Sequence, residues 1–126
     1  MFSDLGRAAE FMALDWVRAA LEERLGFTPF PATLNLRPVS AADRRLWRAV
    51  REEAGIPLLP GERGFCAARL YRVEIRAGER AAPAAAVLVP EVEGYPEDKI
   101  EVVAPLRLKD ALGVSDGDRL ILEFTR

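Results

Sequence analysis

The hydrophobic period of this chain changes once, and the change limits the folds open to it. Before residue 60 apolar residues recur at steps of three and four; beyond it they alternate. Phe11, Leu14, Val17, Leu21 and Leu25 make one face of a helix predicted over Ala8–Leu25, and Gly26 stands where a C′ glycine ends a helix. Pro29 and Pro31 force an extended or turned segment. Thr33-Leu34-Asn35-Leu36 then alternates as a short, half-buried strand would. Ser40 with Asp43 marks a second helix start, although a reciprocal capping box wants Glu or Gln at the latter position. Leu46, Trp47 and Val50 give that helix an apolar face, and Gly55 is expected to close it. In the second half, Leu70–Ile75 reads as a strand with Tyr71, Val73 and Ile75 on one face, followed by a turn at Ala77–Arg80. Ala84–Val89 reads as a mostly buried strand, and Ile100, Val102 and Ala104 alternate with Glu101 and Val103 in another. Leu106–Leu112 is long enough for one or two helical turns ended by Gly113. Asp116-Gly117-Asp118 then turns into a last strand bearing Leu120, Leu122 and Phe124. Short strands at this spacing, with two substantial helices, predict a mainly β fold with helical insertions, a small β-barrel. The 126 residues carry no internal repeat and no low-complexity linker, so residues 1–126 are expected to form a single domain.

Composition removes whole classes of chemistry. Lys and Arg number 18 and Asp and Glu 20, a net charge of −2, so no global positive field draws in nucleic acid or an anionic membrane. The expected partners are small molecules. There is no histidine, which excludes Ser-His-Asp triads, Cys-His pairs and histidine-ligated metals. One cysteine, Cys66, excludes an internal disulfide and a cysteine zinc cluster. With no histidine to activate it, Cys66 reads as a small buried hydrophobe. Any metal must sit on oxygen ligands, which favours a hard ion such as Mg2+. Met1-Phe2-Ser3-Asp4 does not open a signal peptide, and the apolar run from Ala82 to Pro90 falls far short of the ~20 residues that span a bilayer. A cytoplasmic location is expected.

Three constellations could carry chemistry. Thr33 and Asn35 share one face of the first predicted strand and could offer two neutral oxygens to Mg2+, or form the polar outer face of an edge strand. Glu101 could accept a proton from a substrate hydroxyl, bind that hydroxyl, or be an ordinary solvated carboxylate. Asp98 lies three residues from it, on the opposite face of an extended chain, so the two are not a carboxylate pair. Arg107 and Lys109, near a helical turn after Pro105, could hold phosphates or be surface charges. Leu5-Gly6-Arg7-Ala8 fits neither a Walker A nor a dinucleotide-binding glycine motif. Trp47 and Phe11 lie on helical stripes and read as core.

Two long stretches resemble one family. Leu25-Gly26-Phe27-Thr28-Pro29-Phe30-Pro31-Ala32-Thr33-Leu34-Asn35-Leu36 resembles the "LGF-x-P-[YF]-PGTLN" segment of the CTP-dependent riboflavin kinases. Tyr95-Pro96-Glu97-Asp98-Lys99-Ile100-Glu101-Val102-Val103-Ala104-Pro105 is similar to their "YPED-x-[IL]-E-[IV]-[IV]-AP" segment, and Leu108–Asp118 continues the match. Ala68–Val73 looks like the family's central strand. The resemblance implies a six-stranded cradle-loop β-barrel, riboflavin-kinase-like, that transfers the γ-phosphate of CTP to the ribityl hydroxyl of riboflavin, giving FMN and CDP. It implies Thr33 and Asn35 as Mg2+ ligands and Glu101 as a flavin-binding residue close to the reacting hydroxyl. It places Leu106, Arg107, Leu108 and Lys109 against the nucleotide, along with Leu5, Gly6, Arg7 and Ala8, and it puts Glu93 where the family usually has a flavin-contacting threonine.

The chain also departs from the family pattern. The first nucleotide loop of the family reads roughly G-x-G-E-G; here Asp4-Leu5-Gly6-Arg7-Ala8 keeps one glycine and replaces the glutamate with Arg7. Glycines let backbone N–H groups approach phosphates, so the change bears on the triphosphate site. Ala32 replaces the glycine before Thr33. A catalytically degenerate protein that binds a flavin or nucleotide, or a kinase with a changed substrate, therefore stands as the alternative to an active CTP-dependent kinase. Oligomeric state is not legible.

Overall fold

In the computed structural model the described residues are 15–30, 33–58, 68–91 and 94–125. The elements run α1 (Asp15–Leu25), β1 (Leu34–Leu36), α2 (Ala41–Glu52), β2 (Ile56–Leu58), β3 (Ala68–Ala77), β4 (Arg80–Pro90), β5 (Ile100–Val103), α3 (Leu108–Leu112) and β6 (Ile121–Phe124). All six strands join one antiparallel sheet in the order β1-β5-β4-β3-β2, with β6 also paired to β3. β2 takes Ala68–Leu70 of β3 and β6 takes Val73–Arg76, so two short strands share one edge of the long one. The sheet curls into a half-barrel with helices attached, the mainly β architecture expected from the sequence.

Both faces of the sheet are buried, and the alternation of side chains sorts them into two cores. One face carries Leu34, Leu36, Tyr71, Val73, Ile75, Val87, Val89, Ile100 and Val102, closed over by Trp47 of α2 and by Leu108 and Leu112 of α3. The other carries Ala68, Leu70, Ala86, Leu88 and Val103 beneath Val17, Leu21 and Leu25 of α1. Those three α1 residues recur every four positions, the stripe read from the sequence; Phe11 and Leu14 of the same stripe lie outside the described residues. Gly26 ends α1 at φ +81°, its N–H donating to the Glu22 carbonyl at 2.9 Å. Arg72 secures that end from the sheet, donating to the Leu25 and Arg24 carbonyls at 3.2 and 3.0 Å, where the negative end of the helix dipole favours a cation.

Several local expectations changed in the folded chain. Ser40 caps α2 by accepting from the Asp43 N–H at 3.1 Å, as expected, but Leu46 is 67% exposed. It stands one residue from Trp47, a third of a turn around the helix, and only the Trp47–Val50 stripe faces the core. α2 ends at Glu52, with Glu53 as its cap, and Gly55 belongs instead to the link into β2. β2 itself was not expected, because Pro57 breaks the strand pattern. An edge strand tolerates proline, since the missing N–H can sit on the unpaired side. The register of β3 against β4 slips between Val73↔Ala85 and Ile75↔Ala82, a bulge that spans Pro83. A proline has no N–H to give the ladder, and the bulge lets Ala82 and Ala85, three apart, both reach the same core. Among the described residues no helix is long and apolar enough to cross a membrane.

Two features of the α2–β3 junction yield tests. A Cβ on Gly55, at φ +63°, would stand 2.8 Å from the Leu70 carbonyl oxygen and 2.9 Å from the Tyr71 ring. Gly55→Ala should therefore lower stability by about 1–3 kcal/mol, read as a shift of the urea midpoint with unchanged slope; an unshifted midpoint would contradict the packing. The Tyr71 hydroxyl donates to the Glu53 carbonyl at 2.7 Å, and burial raises its pKa above the ordinary value despite the neighbouring Arg69 and Arg51. The unfolded phenol ionises at about pH 10, so Tyr71 contributes stability that is complete below that pH and lost as pH rises through its folded pKa. The alkaline loss should be smaller in Tyr71→Phe, measured by thermal melts across pH 9–12.

Candidate active site

The antiparallel pairing of β1 with β5 sets Asn35 opposite Glu101. These are the two buried polar or charged residues among those described, 5% and 6% exposed. Their strands bury Leu34, Leu36, Ile100 and Val102 on the opposite face, so both side chains occur on the face that bears Leu88 and Val103. Residues directly opposite in such a pair bring their Cβ atoms to about 4.5–5.5 Å. The strand read as half-buried is thus buried throughout, since Asn35 is covered as fully as its leucine neighbours.

Period two extends the polar row in both strands. Thr33 lies two residues before Asn35, and its hydroxyl donates to Asn35 Oδ1 at 3.4 Å. Lys99 lies two residues before Glu101, and its Nζ stands 3.3 Å from Glu101 Oε1. The result is a short band, Thr33–Asn35–Glu101–Lys99, in a sheet that is otherwise apolar on both faces here. Adjacent oxygen ligands of an octahedral Mg2+, bonded at about 2.0–2.1 Å, are about 3 Å apart, close to the Thr33–Asn35 oxygen separation. Among the described residues no three of His, Cys, Asp and Glu group as a metal site. A divalent ion here would meet the neutral oxygens of Thr33 and Asn35, with the Glu101 carboxylate on the facing strand.

Other elements hold this band in place. The Trp47 indole N–H donates to the Glu97 carbonyl at 3.0 Å, and Arg51 donates to the same oxygen at 3.3 Å, tying α2 to the turn that leads into β5. Lys99 Nζ also lies 5.8 Å from the centre of the Tyr95 ring. At the other end of β5, the Phe30 N–H donates to the Ala104 carbonyl at 2.8 Å, which carries the contact between the two motif segments past the strand ends.

Leu106, Arg107, Leu108 and Lys109 follow β5 directly, beyond Pro105. Leu108 is 5% exposed and packs in the core, so its side chain is committed and a ligand would meet its backbone. Arg107 pairs with Asp110 at 3.1 Å and Lys109 with Asp116 at 3.8 Å; both pairs are solvent-facing, where such contacts contribute at most about 1 kcal/mol and yield readily. Leu5, Gly6, Arg7, Ala8 and Glu93 lie outside the described residues, as does Cys66. Two grooves on the α2 side, lined by residues such as Leu46, Arg48 and Ile121, include none of Thr33, Asn35, Lys99 or Glu101. Lys99 is the member of the band that the sequence reading passed over. Its two-residue spacing from Glu101 was a usable signal; the approach of Asn35 to Glu101 was not, because strand register between distant segments is set by the whole sheet.

An antiparallel half-barrel with a histidine-free polar band across two paired strands defines a class of small β proteins. Comparison with known families makes the assignment specific. The model of the CTP-dependent riboflavin kinase family, described as "Domain of unknown function DUF120", matches residues 1–124, and the chain belongs to that family. It is 39% identical over 128 residues to a riboflavin kinase of Pyrobaculum islandicum, covering 97% of this chain and 56% of that protein. It is 36% identical over 125 residues to a riboflavin kinase of Methanosarcina barkeri, covering 97% and 53%. With a riboflavin kinase of Archaeoglobus fulgidus it shares 33% over 127 residues, covering 98% and 52%. The chain thus spans about half the length of the curated relatives it matches.

Removing a buried polar side chain that serves a ligand rather than the fold should not weaken the fold. Asn35→Leu should keep stability within about 1 kcal/mol of the parent or raise it, as measured by chemical denaturation. A loss beyond about 2 kcal/mol would assign Asn35 to the scaffold instead.

Proposed function

We propose that this chain transfers the γ-phosphate of CTP to the terminal ribityl hydroxyl of riboflavin, giving FMN and CDP, with Mg2+. The observation that carries the reading is the cross-strand placement of Asn35 against Glu101, two buried polar residues from the two segments that resemble the kinase motifs. Family membership and relatives named riboflavin kinase support it.

In this reading Thr33 and Asn35 supply two neutral oxygens to Mg2+, which when bound offsets the charge of the phosphate oxygens. Glu101 binds the ribityl hydroxyl and takes its proton as that oxygen forms its bond to the γ-phosphorus. The bond between the γ-phosphorus and the β–γ bridging oxygen breaks, and CDP leaves. Such a transfer depends on alignment and charge neutralisation more than on covalent participation, so the lack of histidine is no obstacle. The backbone of Leu106–Lys109 and the charges of Arg107 and Lys109 border the nucleotide, together with Leu5, Gly6, Arg7 and Ala8. Glu93 borders the flavin. The site works on small molecules in the cytoplasm.

A second reading has its own observation. Asp4-Leu5-Gly6-Arg7-Ala8 lacks two of the family's three loop glycines and adds a carboxylate where a triphosphate would approach. This favours a protein that binds a flavin or nucleotide without turnover, or one with a changed donor or acceptor.

Incubation with riboflavin, Mg2+ and either CTP or ATP, with FMN followed by chromatography, separates the two. The kinase reading expects FMN with CTP, loss of product on chelating the metal, and a fall of at least about 100-fold in Asn35→Ala. Riboflavin binding with no product from either donor would support the second reading. Turnover at the parent rate in Asn35→Ala would remove the proposed metal ligation.

A further inference from the structure

We propose that Lys99 is a positioning residue for Glu101, fixing its carboxylate for the ribityl hydroxyl. This role rests on the kinase reading of the site. Three observations on one strand carry it. Lys99 and Glu101 are two residues apart at the start of β5, so they share a face. The ammonium lies 3.3 Å from Glu101 Oε1, and the two side chains are 17% and 8% exposed. Among the described residues, Lys99 is the one charged group in contact with that carboxylate; Asn35, opposite in the ladder, is neutral.

A carboxylate this deeply covered needs a compensating charge to offset its lost hydration and a fixed partner to hold one rotamer. Lys99 supplies both. Its own stem is held in turn, with the ammonium 5.8 Å from the centre of the Tyr95 ring. Tyr95 sits in the turn that Trp47 and Arg51 anchor through the Glu97 carbonyl. The chain of contacts runs from α2 through that turn to Lys99 and on to Glu101. Lys99 therefore acts through Glu101, the carboxylate its ammonium touches.

A double-substitution cycle tests this. Riboflavin affinity, read by quenching of flavin fluorescence, and single-turnover FMN formation with CTP and Mg2+ would be measured for Lys99→Met, Lys99→Arg, Glu101→Gln and the Lys99→Met/Glu101→Gln pair. The expected result is a fall of about 10- to 100-fold in the rate of Lys99→Met, of the size seen when a residue orienting a functional group is lost. Arginine at position 99 should restore most of the rate. In the Glu101→Gln background Lys99→Met should add nothing, since its target is already gone. The double variant also leaves no unpaired buried charge, so it reports even where Lys99→Met folds poorly. A rate in Lys99→Met equal to the parent's, or losses that multiply in the double variant, would overturn the positioning role while leaving the kinase reading intact. A parent protein that binds riboflavin but forms no FMN would overturn the kinase reading, and the cycle on affinity alone would then decide whether Lys99 acts through Glu101. A parent that does neither would overturn both.

Discussion

The pairing of Leu34–Leu36 with Ile100–Val102 is the contact on which the candidate site depends. It joins the edge strand β1 to β5, aligns two segments far apart in sequence, and fixes which residues of each face one another. A slip of β1 by one residue would turn Asn35 into the core filled by Leu34, Leu36 and Val102, where it could not be satisfied. The apolar residues on the opposite face thus enforce the polar register. β5 is held in turn by β4 through Ala86–Leu88, and β4 by the long hairpin with β3, so the site inherits its rigidity from the sheet rather than from a loop.

That arrangement accounts for two buried polar groups in a sheet covered on both faces. An unpaired Glu101 would be costly, and Lys99 offsets that cost from the same strand. Asn35 has its carbonyl engaged by the Thr33 hydroxyl. Both groups are met locally, by neighbours two residues away. The proposed phosphoryl transfer asks a protein to bind, orient and neutralise charge, none of which requires a histidine.

Much of the fold was legible because periodicity and punctuation are local. The α1 stripe, the Ser40 cap, the turn at Gly78 and the ends of α1 and α3 at Gly26 and Gly113 all follow from residues within a few positions of one another. Three features were not legible, each for a nonlocal reason. β2 forms around Pro57 because β3 offers it an edge. Leu46 is exposed because the sheet reaches only one side of α2. Gly55 is fixed by the approach of Leu70 and Tyr71 rather than by a helix end. At the site, the residue types in the Thr33–Asn35 pair and at Glu101 could be read, and the family resemblance gave them roles. Their meeting across the sheet came only with the register, and Lys99 only with the ion pair.

The most direct measurement of the central claim is an NMR titration of isotopically labelled protein with riboflavin, and separately with Mg2+ and CTP. If the β1–β5 band is the site, riboflavin should shift the backbone amides of Glu101 and Val102. The magnesium–nucleotide pair should shift the Asn35 side-chain amide and the amides of Arg107 to Lys109. The amides of α2 and β6, packed against the other core, should stay where they are. Shifts confined to α2 and β6, with Asn35 and Glu101 unmoved, would contradict the account.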